Sequence, residues 1–312
     1  MSTGTGRPAA RGSLPGFRCG RQDVRMPMLC LAGTFHVLGA APDGDSIRFR
    51  PDDPADWAKV PGPNAVRRNA SGAAQLRLDA VDALETHYTP PGGSTEHQPL
   101  ELAHAAAAAL LEWLGFRDVE RDGETVTSVQ ADDRRGFILT GGADLYGRCV
   151  ALVGRADAPA TSGEHVFVDV PLLRETANHR LITSGLAFPT FYTQLYLDLR
   201  NELTEQAQAA RAARTGVFAD DRTQSGVTVE SLATLTDSAV ILPKLFRRLA
   251  EYLQLNDGDP SLAAFNEFLA QQADLVWIVP TGEKTGFDTV VAVDGQTVKL
   301  TRPPEELVFE EK

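Results

Sequence analysis

Arg77-Leu78-Asp79-Ala80-Val81-Asp82-Ala83-Leu84-Glu85 places an arginine and three carboxylates on a segment that begins with the alternation of a strand. On a strand, Arg77, Asp79 and Val81 share one face, while Asp82 and Glu85 lie at its end. A guanidinium turned inward from a half-buried strand is costly unless an anion meets it. Two anions suit that role. One is Asp79, in a structural pair; the other is a bound phosphate, with the neighbouring carboxylates free for a hard cation.

The surrounding sequence is short strands. Upstream, Leu29-Cys30-Leu31, Phe35-His36-Val37-Leu38 and Ser46–Arg50 have strand character, and Ala74 to Val81 alternates. Proline and glycine mark residues 51–72 and 89–99 as long loops. Downstream, Leu100–Leu114 is an alanine-rich helix with Gly115 at its end. Strands are expected at Thr125–Val129, Gly136–Thr140 and Cys149–Val153, and helices at Pro171–Gly185 and Thr193–Thr215. This order predicts a β-rich α+β protein: over 28–220, an OB-fold five-stranded Greek-key barrel with packed helices.

After Asp220 the texture changes. Helical patterns at Pro243–Leu255 and Ser261–Gln272 precede a strand at Leu275–Val279 and a hairpin across Asp294-Gly295. Residues 221–312 hold eight Lys/Arg against fifteen Asp/Glu, which describes a small acidic C-terminal α+β appendage. Such a unit docks on the barrel, on a second copy (a homo-oligomer) or on a protein partner. On this division, a chain ending near Asp221 keeps the barrel and its site. Residues 1–27, with five arginines against Asp23, are expected to form a flexible basic tail.

Composition narrows the function classes. The 312 residues are 43% hydrophobic and 23% charged, as in ordinary globular chains of one large or two modest domains. The formal net charge of −12 opposes nucleic-acid binding by bulk electrostatics alone. Cys19, Cys30 and Cys149 form no CxxC spacing, so neither a disulfide scaffold nor a structural zinc site is expected. No apolar run reaches the ~18 residues of a membrane span. Pro27, Gly33, Thr34 and His36 interrupt Met26–Ala41, which therefore reads as a strand, and a cytoplasmic protein is expected.

Three further segments could carry chemistry. Asp43-Gly44-Asp45-Ser46 is either a solvated turn or a pair of ligands before a strand. Asp144-Leu145-Tyr146-Gly147-Arg148 is either a simple hairpin corner or a corner that presents its arginine. Phe188, Phe191, Tyr192 and Tyr196 are either core or a surface on which bases stack. The six histidines, His87 nearest the charged segment among them, show no metal-ligand spacing, and Gly282-Glu283-Lys284-Thr285 is no phosphate loop.

Taken in order, DGDS, RLDAVDALE, DLYGR, SGLAF and a helix closing near Gly216-Val217-Phe218 resemble the micrococcal, thermonuclease-like nuclease family over roughly 28–220. The resemblance implies a Ca²⁺-dependent nuclease acting on DNA or RNA. Asp45 and Asp82, with the main-chain carbonyl of Ala83, match the family's metal ligands. Glu85 matches the group that directs the attacking water, and Arg77 and Arg148 match the two guanidinium groups on the scissile phosphate. Tyr146, and Tyr192 in a shifted aromatic platform, fall where the nucleotide is contacted. Leu84 replaces the family's usual proline and Leu145 its usual lysine. Two other functions remain open: a non-catalytic OB-fold nucleic-acid-binding module, and a protein-interaction module acting through 221–312. The net charge favours short or single-stranded substrates, held weakly and with marked salt dependence.

Overall fold

A computed structural model describes residues 27–311, so the expected basic tail lies outside the described residues up to residue 26. Five strands form a closed mixed barrel: β1 (Met28–His36), β2 (Ser46–Pro51), β3 (Ala74–Leu78), β4 (Arg134–Ala143) and β5 (Cys149–Arg155). Around the barrel the order is β1-β2-β3-β5-β4 and back to β1. Every pairing is antiparallel except β3 with β5, where Leu76, Arg77 and Leu78 face Cys149, Val150 and Ala151. The strands bury Leu29, Leu31, Phe35, Ile47, Phe49 and Leu76, and Phe35 packs on Phe49 at 5.0 Å between ring centroids. Closure leaves none of these five strands with an unpaired edge along its whole length.

The helices are α1 (Leu100–Trp113), α2 (Val170–Arg174), α3 (Ala177–Thr183), α4 (Leu197–Ala212), α5 (Pro243–Leu255) and α6 (Phe265–Gln272). The single helix expected over 171–185 is two, because Thr176 leaves the helical conformation and caps α3 through His179 N–H. In α1, Ala103, Ala106, Ala107, Leu110 and Leu111 form the buried face. Its small side chains let other segments come close. A Cβ on Gly44 would lie 2.4 Å from Ala83 Cβ and 2.7 Å from Ala106 Cβ. Gly44 therefore lets the first acidic turn, the segment after β3 and α1 meet at one point.

The expected strand Ala74–Val81 ends at Leu78. Ala80 takes a left-handed conformation (φ 64°), and Val81–Asp82 pairs with Phe188–Pro189 in a separate sheet. Asn178 holds this bend: its Nδ2 donates to the carbonyls of Asp79 and Ala151 at 2.8 and 3.1 Å. Val81 thus does not continue the face of Arg77, and Asp82 is carried onto a different element.

Residues beyond 220 are joined to those before it. Leu307–Phe309 runs parallel to Phe191–Tyr192 and extends a sheet with Leu275–Ile278 and Glu283–Gly286. The expected hairpin is present, as Val291–Asp294 against Thr297–Leu300. In α5, Leu245, Phe246, Leu249 and Leu253 are fully buried. Among the described residues, no helix is long and apolar enough to cross a membrane.

Candidate functional site

The barrel's parallel seam, the long loops and α5 surround a cleft of about 1760 Å³. Asp45, Arg77, Glu85, Tyr146, Arg148 and Tyr192, all singled out from sequence, line it. Asp82 and Ala83 do not. The loops at 51–72 and 89–99 add Pro61, Pro63, Asn64, Thr89 and Pro91 to its wall. A register shift between Thr140 and Gly142 in β4 turns Gly141, Gly142 and Ala143 toward the same space.

Arg77 reaches two carboxylates. Its Nη1 pairs with Asp45 Oδ2 and its Nη2 with Asp82 Oδ1. Asp79, one of the two anions the sequence offered, is not among its ion pairs. Asp45 Oδ2 also accepts from Ala83 N–H at 2.9 Å, so the acidic turn and the segment after β3 are locked together. Burial pushes Asp43 up to about 6, and the adjacent Asp45 carboxylate adds to the shift.

Asp82 is fully buried and wrapped by donors. Arg247, from α5, reaches Asp82 Oδ1 and Oδ2 at 3.1 Å each, and Lys244 N–H donates to Oδ2 at 3.1 Å. The same Arg247 guanidinium pairs with Glu85 Oε1. Burial acts to raise the Asp82 carboxyl, but Arg247 and then Arg77 outweigh it and hold the group below its usual range. Glu85 goes the other way, to about 7. Burial is the main cause, and the Asp45, Asp43 and Asp82 carboxylates add to it against the pull of Arg247.

Arg148 stands at the hairpin corner as the sequence suggested. Gly147 adopts φ 79°, and Asp144 Oδ1 accepts from the N–H groups of Tyr146 and Arg148, both at 2.9 Å. Asp144 Oδ2 holds Arg148 Nε at 2.7 Å, and the guanidinium lies over the Tyr146 ring at 5.5 Å. Tyr146 is 72% exposed, so this cation–ring pair offers an open face. The other aromatic residues divide. Phe188 and Phe191 are core, Tyr192 lines the cleft and packs on Phe309 at 6.0 Å, and Tyr196 is buried in the core where it meets the cleft wall. Four of the chain's five tyrosines (88, 146, 192 and 196) contribute to the wall of this one space.

The two carboxylates implied as Ca²⁺ ligands are already engaged, Asp82 by Arg77, Arg247 and a backbone N–H and Asp45 by Arg77 and a backbone N–H, and the implied water-directing Glu85 is paired with Arg247. They do not offer a hard cation an open set of oxygens. Among the described residues, one group of candidate ligands gathers within 4.8 Å: His36, Asp132 and Asp133, at the end of β1. There His36 Nδ1 lies 2.9 Å from Asp133 Oδ1, as in an ordinary histidine–carboxylate pair.

No protein-family model matches the chain, and no curated protein does. The resemblance therefore rests on the sequence motifs alone.

Lys244, Arg247 and Arg248 were not anticipated from sequence, though one signal was available. They crowd the first half of α5, whose first turn holds no acid. Cations near a helix N-terminus oppose its dipole. Such a pattern is stable when anions meet it, and here Asp82, Glu85 and Asp274 do.

Asp79 supplies a test of the local electrostatics. Burial drives its carboxyl up to about 6 from an ordinary 3.8, helped by Glu311. The folded chain then binds a proton more tightly than the unfolded one, so stability falls as pH rises through roughly 4 to 6. Asp79→Asn is expected to be more stable than wild type at pH 8 by roughly 1–2 kcal/mol, allowing for solvent screening. At pH 4 the two should match. Urea midpoints at both pH values measure this, and equal midpoints at pH 8 would remove the assigned burial penalty.

Proposed function

We propose that this chain is an OB-fold phosphodiester hydrolase, thermonuclease-like, acting on short or single-stranded DNA or RNA in the tyrosine-lined cleft. The barrel order β1-β2-β3-β5-β4 with a parallel β3–β5 seam supports the OB assignment. One observation carries the functional proposal: Arg77 and Glu85 from one motif, and Tyr146 and Arg148 from another, line one cleft. Guanidinium groups match the geometry and charge of a phosphate whose oxygens gain charge during displacement. A carboxyl drawn to about 7 lies where proton transfer with water is efficient near neutral pH. The cleft volume exceeds the ~300–1,000 Å³ of common small-molecule pockets and suits several nucleotides.

The division of labour is testable. Tyr146→Ala and Arg148→Ala are each expected to weaken binding of a fluorescent single-stranded oligonucleotide by roughly tenfold, the effect of losing one stacking or phosphate contact. Glu85→Gln is expected to leave anisotropy-detected binding near wild type while cutting cleavage of the same labelled strand by ~10²-fold or more. Wild-type cleavage by the Glu85→Gln protein would refute the role of Glu85.

A second reading, binding without turnover, is favoured by the Arg247–Glu85 pair, which holds the candidate water-directing group in an ion pair. Purified wild type that binds the oligonucleotide and never cuts it decides for that reading. No binding of either DNA or RNA at low salt counts against both.

A further inference from the structure

We propose that Arg247 is a built-in counter-cation that takes the place of a divalent ion, so that the chain carries a masked hard-cation site which removal of this one guanidinium opens. The proposal concerns the same cleft as the function above, but its first tests require no cleavage.

The geometry is specific. The Arg247 fork spans both oxygens of Asp82 and one oxygen of Glu85, two carboxylates from a segment more than 160 positions earlier. Asp45 lies one link away through Arg77, which bridges it to Asp82. Asp82 and Glu85 converging on one point supply the oxygen chemistry of a hard-cation site, with Asp45 one step beyond it rather than in the same gathered set. A guanidinium at the point where the two converge supplies positive charge to that point without an ion. It also withdraws the oxygens that an ion would need.

Arg247 is also fixed in place by more than this pair. Helix α5 buries Leu245, Phe246 and Leu249 on either side of it, and Lys244 N–H caps onto Asp82. The helix is thus seated on the carboxylate by its own backbone as well as by a side chain. A side chain anchored in this way is a permanent resident, unlike an exposed arginine that an ion displaces at little cost. Arg77 differs from it: its two partners join the acidic turn to the segment after β3, so it shapes the carboxylate set. Arg247 comes from a helix outside that set and closes it.

The test uses the full chain, Tb³⁺ luminescence excited through the neighbouring tyrosines, and thermal melts with Ca²⁺. Wild type is expected to show no saturable Tb³⁺ signal and no Ca²⁺-specific rise in Tm over NaCl of matched ionic strength. Arg247→Gln and Arg247→Met, which keep most of the stem and lose the charge, are expected to bind Tb³⁺ saturably and to gain Tm with Ca²⁺. Calcium affinity should fall near ~10⁻⁴ M, as for oxygen sites of modest charge. Adding Asp82→Asn to either variant should abolish the binding.

Wild type that binds Ca²⁺ as tightly as the variants overturns the proposal, as do folded variants that bind neither ion. If neither variant folds, the wild-type melts still decide: a Ca²⁺-specific Tm rise refutes masking, and its absence, with recovery of a folded variant on refolding in Ca²⁺, supports it. Failure of refolding in Ca²⁺ counts against it. Oligonucleotide binding by wild type should be the same in chelator and in Ca²⁺. Loss of oligonucleotide binding in both, with the Tb³⁺ results intact, would sink the proposed function and leave the masked site standing.

Discussion

Ending the chain at Asp221 is expected to cost the barrel its cooperative fold. Composition alone suggests the opposite outcome, since the texture change at 220 resembles a domain boundary. What reverses it is the contact across that boundary. Truncation removes the Leu307–Phe309 strand from Phe191–Tyr192, and with α5 it removes the apolar cover of Leu245, Phe246, Leu249 and Leu253. It also strips Asp82, fully buried, of the Arg247 fork and of Lys244 N–H. Leaving one buried charge under-compensated costs about 3–5 kcal/mol, against a total stability of roughly 5–15 kcal/mol for a typical domain. The apolar loss comes on top. The truncated protein should be insoluble, or soluble with dye-binding apolar surface and no sharp thermal transition. A cooperative melt within a few degrees of the full chain would show that 27–220 stands alone and that the contacts across 220 are only docking.

Arg77→Ala should be the most damaging single change at the site. The Arg77 side chain is 15% exposed and bridges Asp45 to Asp82, so its loss leaves two carboxylates facing each other across a buried gap. Arg247 still holds Asp82, which places the expected destabilisation at about 3 kcal/mol rather than at the upper end for broken buried pairs. Arg77→Lys should recover only part of this, because an ammonium has no fork to span two carboxylates. A double-mutant cycle with Asp82→Asn, read by urea denaturation at pH 7, isolates the pair. Coupling below ~0.5 kcal/mol would mean that Arg77 is not the keystone of the carboxylate cluster and that Asp82 depends on Arg247 alone. Cleavage, if the proposed function holds, should fall with either substitution, so the stability readout has to come first.

Much of this arrangement was legible in the residues. Alternation located the barrel strands at 46–50 and from Ala74, where it ran on past the bend to Val81, and strand-like apolar runs located those at 136–140 and 149–153. Gly147 marked a tight corner and takes the positive φ such a corner needs, and Gly44 marked a turn whose close packing against Ala83 and Ala106 only the fold revealed. The charge on Arg77 demanded a buried anion, and it has two. Local chemistry set these features, and local chemistry is written in consecutive residues.

Pairing choice was not. Whether Arg77 would meet Asp79, a phosphate or distant carboxylates depends on the bend at Ala80, which Asn178 holds from nearly a hundred positions away. The apparent break at 220 reflects composition, whereas the sheet that crosses it is built by backbone hydrogen bonds that any residues can make. Arg247 reaches Asp82 and Glu85 only because α5 packs by its apolar face beside the cleft; the sequence marks the helix by its pattern, but its need for anions only by cations placed against its dipole. The residue types that need partners are thus determined by the sequence itself. Which partner each one receives was decided by the tertiary structure, since in a buried, low-dielectric site the nearest opposite charge wins whatever its distance along the chain.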